Sequence, residues 1–240
     1  MKIRPWLWAA LLFWVVFRAA PSMAQTQTFA RNSQHLEIVL ELKKDGDWHP
    51  IDPGRILDQG DLLRFRVRSD FDGYLYVMNL GTSGQYSLLF PREDTGRMNR
   101  METSKECLVP ALDGSFQITG PSGYEIVYWL VSPVELNEDT ARSKSTYVPL
   151  PPPPAKTAKP PVTLIPRCDD TLFRARGECI DSSAGPRSIT DPKELPENLS
   201  TLPEATSREL AFIKKDNSTL VSSSESMKGP VIFEFRIAHR

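Results

Sequence analysis

The sequence predicts an all-β chain: an immunoglobulin-like antiparallel β-sandwich with a long Pro-rich, partly irregular excursion before a C-terminal strand. Three observations carry this. From Leu36 to Val131 the apolar residues fall in short runs with a period of two, the spacing of side chains that alternate across a pleated sheet. Gly, Asp and Pro separate those runs at sandwich-like intervals. Tyr147 to Pro166 holds eight prolines, which favour extended polyproline II and act as a spacer.

The chain opens on an address. Lys2 and Arg4 precede the wholly apolar Trp6 to Phe17, and Arg18 leads into small residues ending at Ala24. This is the pattern of a secretory signal peptide spanning 1–24, cut before Gln25. Twelve apolar residues reach about 18 Å as a helix, short of a hydrocarbon core of roughly 30 Å. No second long apolar run follows, so no membrane span is expected in the mature chain. Taking the leader's Lys2, Arg4 and Arg18 from 29 Lys and Arg, against 30 Asp and Glu, leaves the mature chain at net −4.

The body is read as one domain over 25–136. Leu36 to Leu42 is a strand closed by the turn Asp45-Gly46. Leu63, Phe65 and Val67 share one face of the next strand, with Arg64, Arg66 and Arg68 on the other. After Asp72-Gly73 comes Tyr74 to Leu80, then the turn Gly81 to Gly84 and the strand Tyr86 to Phe90, stopped by Pro91. Gly73 and Gly84 are assigned to hairpin turns needing positive φ. Residues 92–106 are polar and read as a loop; Ser115 to Ile118 is a short strand. Tyr124 to Val131 is longer, mostly apolar and expected to be central.

From 137 to 205 the chain reads as Pro-rich and irregular, with a disulfide loop. In the region 206–240, Arg208 to Lys214 is a short helix or strand, and Val231 to Ile237 alternates strongly. A lone terminal strand is not stable, so it is expected to pack back on the sandwich, with Leu36 to Leu42 as the candidate neighbour.

Composition narrows the function. Apolar residues make up 40%, charged residues 25% and mean hydropathy is −0.33, a globular composition that excludes a polytopic membrane protein, a coiled coil or a disulfide-dense miniprotein. A formal charge of −1 gives no support to a nucleic-acid partner. The sequence contains no G-x-S-x-G, H-E-x-x-H, P-loop or G-x-G-x-x-G. His35, His49 and His239 are far apart, and the cysteines lack the C-x-x-C spacing of a metal site, so no cofactor or metal is expected. Asp70-Phe71-Asp72-Gly73 resembles a fragment of a calcium loop, but Asn79 stands where the closing Glu belongs, so a plain turn is preferred.

Cys168 and Cys179 enclose ten residues and are assigned to a disulfide; Cys107, in a short apolar patch, is left as a buried free thiol. The candidate binding surface is Arg64, Arg66 and Arg68 with Tyr74 and Tyr76. The arginines form either an anion-binding stripe or, the preferred reading, a solvated face paired with acids on neighbouring strands. Either way, Gln at all three positions should leave folding intact. Tyr74 and Tyr76 point the same way, and they form an outer surface if Leu75 and Val77 face the core.

Asp61 to Val67, Asp72 to Val77, Leu88-Leu89-Phe90-Pro91 and Pro121 to Glu125 occur in an order and spacing that resembles the bacterial family called domain of unknown function 4384. The resemblance covers about residues 50–135. It implies an exported or envelope-associated β-rich domain in an accessory role, with no agreed activity and no catalytic residues to carry over. The expected function is therefore a non-enzymatic exported binding module, periplasmic, envelope-associated or secreted, whose partner is an envelope protein or surface polymer. A structural or assembly component is the alternative, and a hydrolase with an unrecognised carboxylate site comes third.

Overall fold

A computed structural model of the chain describes residues 33–111, 113–136, 165–169, 179–189, 195–196, 199 and 210–240. The signal-peptide segment and residues 137–164, with most of the Pro-rich stretch, lie outside the described residues. Among the described residues there are two sheets, and every pairing of the named strands is antiparallel. Sheet A runs β11 (Leu210–Lys215), β12 (Ser218–Ser223), β1 (Gln34–Lys44), β3 (Leu62–Ser69), β7 (Glu106–Val109); β2 (Asp47–Ile51) also pairs β1, and β8 (Phe116–Gln117) pairs β3. Sheet C runs β10 (Gly185–Arg187), β13 (Val231–His239), β9 (Gly123–Ser132), β4 (Gly73–Leu80), β5 (Tyr86–Phe90), with β6 (Arg100–Met101) also on β4.

Period-two alternation builds the space between the sheets. Ile38 and Leu40 of β1 and Leu63, Phe65 and Val67 of β3 point inward from sheet A. Leu75 and Val77 of β4, Trp129 of β9 and Phe233 and Phe235 of β13 meet them from sheet C. Phe65 joins the two layers, edge-on to Trp129 at 5.0 Å between ring centroids and to Phe235 at 5.6 Å. These are favourable aromatic arrangements on top of the area they bury. The turn Asp45-Gly46, with φ of 54° and 95°, has the geometry that closes a two-residue hairpin, and it turns β1 into β2.

Sheet C is buried on its second face as well. Tyr76, Met78, Tyr128, Leu130 and Ile232 point away from the intersheet core and pack with Leu136, Ile189 and Leu199. This double burial is why Tyr124 to Val131 is a nearly continuous apolar run rather than a strict alternation.

Several expectations need correction. The C-terminal strand does not lie beside Leu36 to Leu42; it pairs with β9 from Val231↔Val131 to His239↔Gly123, and β12 occupies the place beside β1. On the alternate positions of β13, Glu234 and Arg236 pair with each other at 2.7 Å. Residues 92–106 contain β6, whose Met101 reaches the core, and the region after Arg167 contributes β10. Of the two readings of Arg208 to Lys214, the strand holds, as Leu210–Lys215. Gly84 has the expected positive φ of 76°, but Gly73 does not need one: a Cβ there would lie 3.0 Å from the Ser132 carbonyl oxygen, so close backbone approach demands glycine.

Because β13 lies between β10 and β9, a chain lacking residues 229–240 should lose its cooperative thermal transition rather than melt a few degrees lower. Circular dichroism and tryptophan fluorescence check this; an unchanged melt would show that the pairing is dispensable.

Candidate binding face

The outer face of sheet A is set by the register of β1 against β3 and β7. Glu37 faces Arg68, Val39 faces Arg66 and Glu41 faces Arg64, while Arg66 and Arg68 face Leu108 and Glu106 on the other side. The three arginines stand on one face, but they are not equivalent. Glu41, only 4% exposed, accepts from Arg64 Nε at 2.6 Å and from Arg66 Nε at 3.0 Å, so one carboxylate holds two guanidinium groups. Arg66 Nη1 also lies 3.5 Å from Glu106. The Arg64 guanidinium sits over the Trp48 ring at 4.4 Å, and the Lys43 ammonium approaches the same ring at 5.6 Å. Arg68 is exposed.

The stripe is thus half structural. Arg64 and Arg66 follow the preferred reading, pairing with acids on neighbouring strands. Gln at all three positions should therefore destabilise the fold, against the expectation from the sequence, because it strips a buried carboxylate of its counter-charges.

The tyrosines are elsewhere. Tyr74 and Tyr76 belong to sheet C, not to the sheet that carries the arginines. Leu75 and Val77 do face the core, so the parity expected from the sequence holds. Yet Tyr76 is 2% exposed, and its hydroxyl donates to the Leu136 carbonyl at 2.8 Å and accepts the Leu136 N–H at 2.6 Å. Tyr74 is half-buried at the margin of the same cluster. The two halves of the candidate surface therefore do not meet, and Tyr76 presents no surface while the segment around Leu136 covers it.

Cys168 and Cys179 are joined by a disulfide, and Cys107 is free. Cys107 packs against the intersheet core, where burial pushes its thiol up to about 11, so it holds almost no thiolate near neutral pH. The calcium-like fragment is a turn. Asp70 accepts from the His35 backbone N–H at 2.7 Å, and Asp72 accepts from the Thr103 N–H at 2.7 Å. Among the described residues no group of three or more His, Cys, Asp or Glu is placed to hold a metal ion.

Three carboxylates, two buried and one partly buried, escaped the sequence reading. Asp181, 2% exposed, accepts from the Tyr124 hydroxyl and from the backbone N–H groups of Arg167 and Ser183, each at 2.8 Å. Burial, and then the hydrogen bond and charge of Asp181, hold the Tyr124 hydroxyl well above its ordinary value. Glu234 lies between Arg236 at 2.7 Å and Arg187 at 2.9 Å. Glu125 accepts from Asn79 at 2.7 Å and lies 3.3 Å from the buried His239 ring. For Glu125 and Glu234 the one signal was a polar residue inside an otherwise apolar strand, which reads equally as a solvated face. At the open end between the sheets, Leu36, Phe71, Val221 and Phe233 help line an apolar recess of about 290 Å³ that includes the solvent at its mouth.

Residues 56–135 match the family described as Domain of unknown function (DUF4384). The match begins after β2 and ends after β9, so it includes the arginine strand but not β1, which holds Glu41, nor β13. No curated protein and no solved structure matches the chain.

Two outcomes follow from this geometry. Glu41→Gln should destabilise the fold by about 3 kcal/mol, because it leaves Arg64 and Arg66 without their shared counter-charge, whereas Arg68→Gln should shift the urea midpoint little; equal effects would sink the distinction. Glu125 supplies a pH dependence. Burial raises its pKa, but the hydrogen bonds from His239, Asn79 and the Thr82 N–H outweigh that and leave it below the usual 4.5. A depressed carboxylate stabilises the fold above its unfolded value and loses that contribution as pH falls through the folded one. Denaturant titrations should show stability falling below about pH 4.5, with a shallower fall in Glu125→Gln.

Proposed function

We propose that the chain is a non-enzymatic exported binding module of the bacterial cell envelope, in which the outer face of sheet A engages an envelope protein or surface polymer bearing acidic groups. The observation that carries this reading is the contrast between the two sheets. Sheet C is covered on both faces by apolar clusters, whereas the outer face of sheet A carries charged side chains in fixed register. On that face the Glu41, Arg64, Arg66 and Trp48 lattice is internally satisfied and rigid, while Arg68 and Lys43 are exposed. A preorganised lattice with open cations at its margin costs little ordering when an anionic partner arrives.

Export is supported by the leader pattern of residues 1–24 and by the Cys168–Cys179 disulfide, since such bonds persist in oxidising compartments. The immunoglobulin-like reading of the two facing sheets belongs to the same proposal.

Crosslinking of the tagged protein in cells, followed by envelope fractionation and mass spectrometry, tests it. One reproducible partner should appear with the wild type and be lost with Arg68→Glu and Lys43→Glu. Recovery of monomer alone would overturn the proposal and favour the structural or hydrolase readings.

A further inference from the structure

Sheet A ends at β11, and no described strand lies beyond it. Strands β11 and β12 form a hairpin closed by Asp216 and Asn217. In a two-residue hairpin the flanking pair, here Lys215 and Ser218, exchanges its hydrogen bonds. The pattern alternates, so Ile213 and Ala211 also bond to β12, while Leu210 and Phe212 turn their N–H and C=O groups outward. Among the described residues those outward groups have no backbone partner. The edge of sheet C at β5 is treated differently. There Thr95 Oγ1 donates to the Leu89 carbonyl at 2.6 Å, and Arg92 Nη1 donates to the Leu88 carbonyl at 3.4 Å. Two features beside the β11 edge select what can pair with it. Leu210 forms one wall of the apolar recess, with Val221 and Phe233. A residue added opposite Leu210 points its side chain to the same face, into the gap between the sheets where the recess lies. At the hairpin end Lys215 is exposed, on the face that carries Val39 and Arg66, whereas the Lys214 ammonium pairs with Asp52. Lysines on an edge strand deter foreign strands; here that guard is confined to one end, where it also offers a charge to a carboxylate.

We propose that the β11 edge takes an extended segment of a partner protein as an added antiparallel strand, with an apolar side chain seated in the recess beside Leu210 and a carboxylate opposite Lys215. Main-chain hydrogen bonds to Leu210 and Phe212 hold the segment, and its two side chains, on opposite faces, select it. The two contacts are five residues apart along β11, about 17 Å, so a lone amino acid or a free anion cannot make both. The arginine lattice of the outer face takes no part in this contact.

The test is hydrogen exchange at single amides of the purified protein, read by NMR. The probe is an end-blocked, Thr-rich peptide of about ten residues that carries a glutamate five positions before a leucine. In the free protein the Leu210 and Phe212 amides should exchange fast. With the peptide at about ten times its Kd they should slow roughly tenfold. Peptides with serine in place of the leucine, or with proline in mid-strand, should lose binding, and these controls leave the protein itself unaltered. Lys215→Glu should weaken binding about fivefold, and a peptide with lysine in place of the glutamate should restore it. Slow exchange of Leu210 and Phe212 in the free monomer would overturn the proposal, because the edge would already be filled. Slowing that tracks protein concentration, with a doubled mass in solution, would overturn it in favour of a second copy on the same edge. Peptide binding that leaves the two amides fast, or no binding, overturns it as well. None of these results bears on a partner whose crosslinking is lost with Arg68→Glu and Lys43→Glu.

Discussion

The pairing of β9 with β13 is the constraint on which the rest of the molecule depends. Strand β9 is apolar on both faces and lies in the middle of its sheet, so neither edge of its backbone can be left to solvent. One edge is met by β4, its neighbour in the sequence-matched region, and the other only by β13. Strand β13 also supplies Phe233 and Phe235, which pack with Phe212, Trp129 and Phe65 across the gap between the sheets. A second central strand, β1, likewise lies outside residues 56–135. The stretch that matches the family is therefore an incomplete core, and the folding unit is larger than the match.

The two sheets solve the same problem differently. Sheet C is wrapped, and the buried polar groups on it are satisfied inwardly, as with Glu234 between Arg187 and Arg236. Sheet A keeps its charges on the outside but locks them in a lattice, where Glu41 neutralises two arginines and Trp48 carries a third contact through its ring. A locked lattice fixes where the remaining open charges stand, and that is the property a recognition surface needs. A covered aromatic face and an open charged face on one small body give two surfaces of opposite chemistry.

How much of this was legible depended on the length of each pattern. Strands β1, β3, β4, β5 and β9 were readable because each carries an alternating or near-continuous apolar pattern over at least five residues. Strands β6 and β10 are too short to carry a period, β2 contains Pro50, and β12 hides its apolar side among serines. The same limit applies to the site. Parity correctly placed Tyr76 opposite Leu75, but parity says nothing about cover, and the cover comes from Leu136, Ile189 and Leu199. Parity also put the three arginines together, but only the register of β1 against β3 reveals that Glu41 stands between two of them. The burial of Asp181 under Tyr124 joins segments with no sequence relation and was not accessible from the chain alone.

The placement of β13 also sets a schedule. β9 ends at Ser132 and β13 begins at Val231, so about a hundred residues separate the two halves of one ladder. While those residues emerge from a ribosome, β4, β5 and β9 form at most a fragment with a bare, strongly apolar edge, the kind of edge that recruits foreign strands. The sheet cannot close on itself until the distant strand is made. A nascent chain of this design therefore keeps that edge open until the residues of β13 have been made.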